Sequence, residues 1–338
     1  MIQPGFFGLQ DRLHKIDKND DPLTKINQTV DWEMFRLALE KARYKGRKSS
    51  VGPKGYDVIL LFKILILQSL YNLSDAVAEF QILDRHCFGR FLGLRISQKV
   101  PDAATIWLFR EDFIKAGIVE ELCAAFDAQL RANGFMAMKG QLVDASIVKV
   151  AKQRNSREEN ARIQEGGIPE DWSENKRRRK DVDACWIKKN GKSFYEYKSH
   201  VPVDMKHYLI RSCAATDAAL HGGKVFEQVL SADASKDIWA DSAYRSAERV
   251  ERLCADGFRE HIHRKGSCNH PLRPREQEDN KTKSRIRWRV EHVFGIQVQR
   301  SGHLLLRTVG IRRVWAKIGL RNLAYNIDRM GMLLTAKG

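Results

Sequence analysis

The sequence lacks a hydrophobic run long enough to cross a membrane. Its longest apolar stretch, Val58–Tyr71, is shorter than the roughly 20 residues that a spanning helix needs, and Lys63 and Gln68 interrupt it. The first residues also lack the basic, apolar and small-residue segments of an export signal. We therefore expect a soluble, cytoplasmic and nucleoid-associated protein with no membrane partner.

Paired cysteines and internal repeats are absent as well. The six cysteines are scattered along the chain and none of them forms a CxxC pair. In a protein of this size that is not exported, this pattern predicts reduced and mostly buried thiols.

Acidic residues are in short supply. The chain has 42 Asp and Glu against 59 Lys and Arg, which gives a formal net charge of +17 over 338 residues. A positive charge of this size favours a polyanionic partner, most often a nucleic acid.

The first 139 residues have the apolar spacing of helices. Trp32–Arg43 places apolar side chains at i, i+4 and i+7, and Asp57–Tyr71 is apolar enough to be the central helix of a domain. Further helices are predicted to begin at Ser74, at Asp84 and at either Asp102 or Thr105, whose side chains are suited to capping. Residues 1–139 are thus predicted to form an all-α domain for DNA binding or dimerisation, although a plain helical packing domain fits the pattern equally well.

The apolar spacing changes to an alternating pattern after Gly140, as in β-strands. Strands are predicted at 141–150, 193–204, 208–216, 237–241 and 258–263, with helices between the later ones and a helical C-terminus. This order predicts an α/β domain with a mixed sheet over residues 140–338. Residues 152–183 are polar and basic, and they are predicted to be a long, mobile surface insertion.

Three carboxylates in the predicted α/β domain stand out by position. Asp144 lies within an apolar strand, Asp241 ends a second strand, and Glu291 lies beside the apolar stripe of a late helix. Convergent carboxylates form an all-oxygen site suited to Mg²⁺ or Mn²⁺, and two such ions support phosphodiester chemistry. The alternative for each aspartate alone is that it caps a turn.

The segments around these carboxylates resemble the DDE transposases of bacterial insertion sequences, in the IS-four/IS-five group. The matching pieces are LVDASIV around Asp144, DIWADSAYRS around Asp241 and RIRWRVEHVFG around Glu291, together with LSDAVAEF and PDAATIWLFRE in the N-terminal third. The resemblance implies an RNase H-like catalytic domain in which Asp144, Asp241 and Glu291 are the catalytic residues and the ligands of two Mg²⁺ or Mn²⁺ ions. It also implies a homodimer that binds double-stranded DNA at terminal inverted repeats, cleaves it and joins the 3′-hydroxyl ends to target DNA.

The same resemblance implies a set of DNA-binding residues. The group has a Y-x2-R-x3-E-x6-K signature, which Arg287 and Glu291 fit but Ser284 and Val298 do not. Lys198 and His200 match a GYKxH pattern and are predicted to lie near substrate phosphate, with a solvated edge face as the alternative. The full predicted set comprises Lys198, His200, Arg285, Arg287 and Arg289 together with the basic run Lys176, Arg177, Arg178, Arg179 and Lys180.

Two other functions fit the same residues. A metal-dependent nuclease would use the same three carboxylates to hydrolyse DNA without joining it. A catalytically silent DNA-binding protein descended from a transposase would keep the basic surfaces alone, and the intact set of carboxylates argues against it.

Other residues with a second interpretation lie outside the carboxylate set. His261, His263, Cys268 and His270 resemble zinc ligands in identity, but they lack the spacing of paired ligands, so a basic loop near DNA is the first interpretation. Trp172, within the polar insertion, is predicted either to stack on an exposed base or to pack in a core. The other tryptophans, including Trp107 and Trp288, are mostly predicted to lie in the core.

Overall fold

The computed structural model describes residues 11, 14–16, 18–19, 21–43, 55–151, 153–189, 192–217, 223–230, 235–267 and 270–336. The chain divides into two compact units, Met1–Leu130 with Leu323–Gly338, and Arg131–Asn322. The division therefore lies before the boundary predicted between residues 139 and 140. The end of the chain groups with the N-terminal helices, whereas the sequence pattern assigns it to the catalytic domain.

Within the described residues, the helical unit is built from α-helices of the N-terminal region and the end of the last helix. They are α1 (Pro22–Thr29), α2 (Arg36–Arg43), α3 (Val58–Tyr71), α4 (Asp75–Asp84), α5 (His86–Leu92), α6 (Ala103–Ala116) and α7 (Val119–Ala132), with α13 (Ile311–Thr335) closing the chain.

The helix starts follow the capping residues of the sequence. Asp57, Ser74 and Asp102 each accept a hydrogen bond from a backbone N–H in the first turn of the helix that follows. The helix predicted to begin at Asp84 begins instead at His86, because α4 continues through Asp84 and no side chain caps α5.

The centre of the helical unit is α3, which is buried along nearly its whole length. The Phe62 ring packs against Trp32 and Phe35, and Trp32 packs edge-on against Phe91. Within the described residues no single helix is long and apolar enough to cross a membrane. Helices α3 and α4 meet that criterion only when they are taken together, across a bend of 101°.

The second unit contains a seven-stranded mixed sheet with flanking helices. Its strands are β1 (Gln141–Val150), β2 (Cys185–Lys189), β3 (Lys192–Asp204), β4 (Ala214–Asp217), β5 (Asp237–Ala240), β6 (Arg259–Ile262) and β7 (Leu305–Leu306). Along the sheet the order is β2, β3, β1, β5, β6, with β4 beside β3 and β7 beside β1. Strand β1 is antiparallel to β3 and parallel to β5, which in turn is parallel to β6. This arrangement confirms the predicted α/β, RNase H-like fold class with a helical N-terminal region.

Helices pack against both faces of this sheet. The helices that follow β1 in the chain are α8 (Arg157–Gln164), α9 (Glu174–Arg179), α10 (Gly223–Val229), α11 (Ala247–Ala255) and α12 (Pro274–Ser301), followed by α13. On one face Val143 packs with residues of α10 and α11, including Phe226 and Leu253. On the opposite face Val148 packs with residues of α13, including Val314.

The entry into β1 depends on a glycine. Gly140 has a φ of +114°, and a Cβ at this position would come within 2.8 Å of the Met205 sulfur. Only glycine combines this backbone conformation with such close packing. The position of the first residues of β1 beside β5, and hence of Asp144, therefore depends on Gly140.

The insertion after β1 contains regular structure. Ser156 and Glu159 form a capping box at the start of α8, and Ser173 caps α9. The insertion ends at the buried Asp181, which accepts hydrogen bonds from the Tyr197 hydroxyl at 2.7 Å and from two backbone N–H groups. The sequence indicated the polar composition of this segment but not its two helices.

Candidate active site

Two of the three predicted catalytic carboxylates lie side by side, Asp144 within β1 and Asp241 just after the end of β5. Val143 of β1 is paired with Ala240 of the parallel strand β5, so Asp144 and Asp241 are next to each other in the same register. Asp241 also begins a 3-10 turn, Ser242–Tyr244, and its Oδ1 accepts a hydrogen bond from the Ser242 N–H at 2.6 Å. Asp241 therefore caps a turn, as the alternative interpretation predicted, and it also lies beside Asp144.

Helix α12 brings a cation and the third carboxylate to this pair. The Arg287 side chain lies between the two aspartates, with Nη1 3.0 Å from Asp241 Oδ1 and Nε 3.7 Å from Asp144 Oδ2. Glu291 follows Arg287 by four residues, and such residues share a helix face. The charge of Glu291 contributes to the raised pKa of Asp144, and the Glu291 side chain is exposed.

The pKa values of the two aspartates shift in opposite directions. Burial raises the pKa of Asp144 to about 6, because the Arg287 charge offsets only part of the desolvation and the carboxylates of Glu291 and Asp241 add to it. For Asp241, burial is outweighed by the Ser242 N–H and by Arg287, which together lower the pKa. Asp144 is therefore the carboxylate whose ionised form most needs a nearby cation.

The donor set fits a divalent cation in its chemistry. Carboxylate oxygens are the ligands that Mg²⁺ and Mn²⁺ prefer, and here two of them face a single guanidinium charge. As the side chains stand, no group of three or more His, Cys, Asp or Glu residues in the described ranges has the arrangement of a metal site. A cation bound between Asp144 and Asp241 would take the place of the Arg287 guanidinium.

Comparison with protein families agrees with this geometry. A family described as a transposase DDE domain matches residues 136–327, and a transposase domain (DUF772) matches residues 10–112. The first match spans more than half of the chain, and the chain belongs to the DDE transposases of insertion-sequence type. No solved structure matches the chain. Proteins of this family act on DNA and generally use divalent metal ions.

The two predicted DNA contacts on β3 lie on the other face of the sheet. Asp144 is directly opposite Val201 of β3, so Lys198 and His200, which alternate with Val201, do not share its face. His200 is only 1% exposed. Its Nδ1 is 3.1 Å from the Tyr244 hydroxyl and its Nε2 is 3.1 Å from the Thr216 hydroxyl. The structure therefore places His200 in a buried polar network and not at a surface open to phosphate.

Burial lowers the pKa of His200 to about 4, and the Lys198 charge contributes to this shift. Burial also raises the pKa of Tyr244, and the charges of Asp144 and Asp241 add to the rise. The imidazole and the phenol are thus both neutral near pH 7. Tyr244 of this neutral pair is the last residue of the 3-10 turn that Asp241 begins.

The predicted arginines on α12 are solvent-exposed. Arg285 and Arg289 lie on either side of Arg287, and both are exposed. Trp288, predicted to be a core residue, is 69% exposed, and Trp107 on α6 is 48% exposed. The prediction that these two tryptophans lie in the core is therefore wrong. For Trp288 the reason is that only a few residues of the 28-residue helix α12 are buried.

The basic run of the insertion has two kinds of side chain. Lys176 binds Glu159 Oε1 at 2.6 Å, and Lys180 binds the Arg154 carbonyl at 2.6 Å, so both lysines hold the insertion together. Arg177, Arg178 and Arg179 are exposed.

Trp172 lies in the same segment and is 3% exposed. Its indole N–H donates to Glu159 Oε1 at 2.7 Å, and the Lys176 ammonium lies 5.2 Å from its ring centre. Trp172 is therefore packed in a core, as one of its two interpretations predicted, and its ring is not exposed for stacking on a base.

The histidines considered as zinc ligands have separate partners. His261 Nε2 is 2.9 Å from Asp237 Oδ1 and its ring stacks on Trp239, whereas His263 Nδ1 is 3.6 Å from Asp241 Oδ1. His270 is exposed, and Cys268 lies outside the described residues. His263 thus lies beside the predicted catalytic residues. The sequence offered no signal for this, because it depends on the register of β6 with β5.

Proposed function

We propose that this transposase cleaves DNA at the ends of its element and joins the freed 3′ ends to target DNA, with Asp144, Asp241 and Glu291 as catalytic residues. The observation that carries the proposal is the in-register pair of Asp144, within β1, and Asp241, just after the parallel strand β5, with Arg287 between them. Glu291 lies four residues after Arg287 on the same helix, and its charge acts on Asp144.

In this proposal the three carboxylates hold two Mg²⁺ or Mn²⁺ ions. Bound there, such ions lower the pKa of a water molecule and stabilise the charge on the leaving oxygen. Water attacks the phosphodiester at the transposon end and releases a 3′-hydroxyl, which then attacks a target phosphodiester in line. No covalent bond between protein and DNA forms, so no serine or tyrosine nucleophile is proposed.

Arg287 has two roles in this scheme. In the protein alone its guanidinium neutralises part of the charge of Asp144 and Asp241. When divalent cations replace it there, it becomes available to a DNA phosphate, a group that arginine binds in bidentate geometry. The exposed Arg285 and Arg289 are proposed to bind the DNA backbone on either side.

Sequence recognition is proposed for the helical unit. Phosphate contacts are alike at every nucleotide, so preference for the inverted repeats requires elements that reach base edges. The N-terminal helices are the candidates for a groove, and the exposed Arg177, Arg178 and Arg179 of the insertion supply further backbone contacts. The active form is proposed to be a homodimer that holds two ends.

A strand-transfer assay tests the proposal. The full-length protein is incubated with Mg²⁺, a pre-cut DNA end carrying the terminal inverted repeat, and a supercoiled plasmid. We expect plasmid that is covalently joined to the labelled end. Degradation of the end without joined product would identify a nuclease, and retention of the end without any chemistry would identify a DNA-binding protein that is not an enzyme.

A further inference from the structure

Strands β5 and β6 end at the same level of the sheet, beside a point within β1, and a histidine directly follows β6. Val143 of β1 is paired with Ala240 of β5, and Ala240 is paired with Ile262 of β6. The residues that follow are Asp144, Asp241 and His263, which therefore form a row with Asp241 at its centre. His263 is buried, with 9% of its surface exposed.

His263 connects Asp241 to helix α12. Its Nδ1 is 3.6 Å from Asp241 Oδ1, and its Nε2 is 3.3 Å from the Ser284 hydroxyl. When Nδ1 has the proton, the ring donates toward Asp241 and Nε2 accepts from Ser284. The contact with Asp241 is longer than a full hydrogen bond, and such contacts often tighten when a site is occupied.

Three groups approach the same oxygen of Asp241. The Ser242 N–H is 2.6 Å from Oδ1, Arg287 Nη1 is 3.0 Å from it, and His263 Nδ1 has its closest approach to the same atom. These contacts fix the carboxylate through Oδ1 and leave Oδ2 as the oxygen for a further ligand. If Arg287 gives way to a cation, Ser242 and His263 still hold Oδ1.

We propose that His263 is a positioning residue of the active site, which orients the Asp241 carboxylate for a divalent cation and is itself held by Ser284. The proposal rests on the proposed function, because it takes Asp241 to be a cation ligand. Groups that hold metal ligands in this way typically contribute about 10- to 100-fold to metal affinity.

His261 provides a matched control on the same strand. It lies two residues before His263, and its ring stacks on Trp239 at 4.0 Å and contacts Asp237 at the start of β5. Replacing His261 therefore removes an imidazole from β6 without touching Asp241.

The test is Mn²⁺ binding to the full-length protein without DNA, measured by electron paramagnetic resonance of the free ion. We expect His263→Ala to weaken binding about 10- to 100-fold. His263→Asn, whose amide nitrogen can take the place of Nδ1, should restore most of that affinity. Ser284→Ala, at an exposed position, should produce a smaller loss in the same direction, and His261→Ala should bind as the wild type does. Thermal melting establishes that each variant is folded.

The outcomes separate this proposal from the proposed function. If Asp241→Asn loses Mn²⁺ but His263→Ala and Ser284→Ala bind normally, His263 does not position Asp241 and the proposed function stands. If His263→Asn binds as poorly as His263→Ala in a folded protein, the imidazole is a direct ligand and the positioning role is refuted. If Asp241→Asn binds Mn²⁺ like the wild type, the proposed function itself fails.

Discussion

The two faces of the central sheet hold polar clusters of opposite character. On one face, Asp144, Asp241 and Arg287 are charged and partly open to solvent. On the other, His200 is buried, and both of its ring nitrogens have hydroxyl partners. Buried polar groups with all their hydrogen bonds made mainly stabilise a fold, whereas a partly open cluster of like charges has room for a ligand. We therefore expect the first face to carry the chemistry and the second to support the fold.

The largest expected effect comes from removing a carboxylate on the chemical face. Asp144→Asn, Asp241→Asn and Glu291→Gln should each reduce DNA cleavage and strand transfer to the level without enzyme, because each removes a charged ligand. Binding to DNA ends should persist, because the exposed arginines remain. The measurement is cleavage of a labelled terminal repeat alongside a gel-shift titration of the same DNA.

Asp237→Asn is the matched control for these three variants. Asp237 begins the strand that Asp241 follows, and its partners are Arg259 and His261. This variant should keep its chemistry. Cleavage that survives Asp144→Asn would place the active site elsewhere.

Asp144→Asn, which should abolish cleavage, should in contrast stabilise the folded protein. Because the pKa of Asp144 is raised from 3.8 to about 6, the folded protein keeps a proton that the unfolded chain loses between these values. Stability from this group is therefore highest below pH 4 and is lost as the pH rises through about 6. Without divalent ions at pH 7.5, Asp144→Asn should raise the free energy of unfolding by up to roughly 3 kcal/mol. Chemical denaturation measures this change, and a destabilised variant would contradict the charge assignment.

His200 should give a pH dependence of opposite sign. Its pKa is lowered from 6.5 to about 4, so the unfolded chain takes up a proton in this range before the folded protein does. Stability from His200 is present above pH 6.5 and is lost as the pH falls through about 4. His200→Gln should therefore reduce the loss of stability in acid while keeping DNA cleavage within a few-fold of the wild type, as roughly expected for a residue that only supports the fold. A loss of cleavage as complete as that of Asp144→Asn would remove the distinction between the two faces.

The smallest expected effect concerns the exposed arginines beside the site. If Arg285 and Arg289 each bind a phosphate, replacing both with glutamine should flatten the log–log dependence of DNA affinity on salt by about 0.9 for each lost contact. The decrease should be similar for terminal-repeat and random duplexes. Fluorescence anisotropy over a salt series measures the slope, and an unchanged slope would exclude these side chains from the interface.

The sequence predicted the proximity of Asp144, Asp241 and Arg287 better than it predicted the position of His200. Asp144 could be identified because an ionisable residue within an apolar strand needs compensation, and Arg287 and Glu291 because four residues bring side chains to one helix face. Alternation predicted that Lys198 and His200 share a face, but it does not state which face of the sheet is covered. That depends on how α10 and the Ser242–Tyr244 turn pack against β3, which only the folded chain determines.

Two further residues show the same limit. His263 lies beside Asp241 through the register of neighbouring strands, and strand register between distant segments is not visible in local spacing. Trp172 is buried against Glu159 and Lys176 within a segment whose composition predicted mobility. In both cases the position of the residue depends on contacts with other segments of the chain, which composition and periodicity do not reveal.

The most direct test of the central claim is a crystal structure of the protein with Mn²⁺, in which anomalous scattering locates the ion. We predict Mn²⁺ bound by oxygens of Asp144 and Asp241 at about 2.0–2.6 Å, with Glu291 at the same site and the Arg287 guanidinium displaced from between the aspartates. An Arg287 that still bridges Asp144 and Asp241, with Mn²⁺ bound at some other group of residues, would contradict the account.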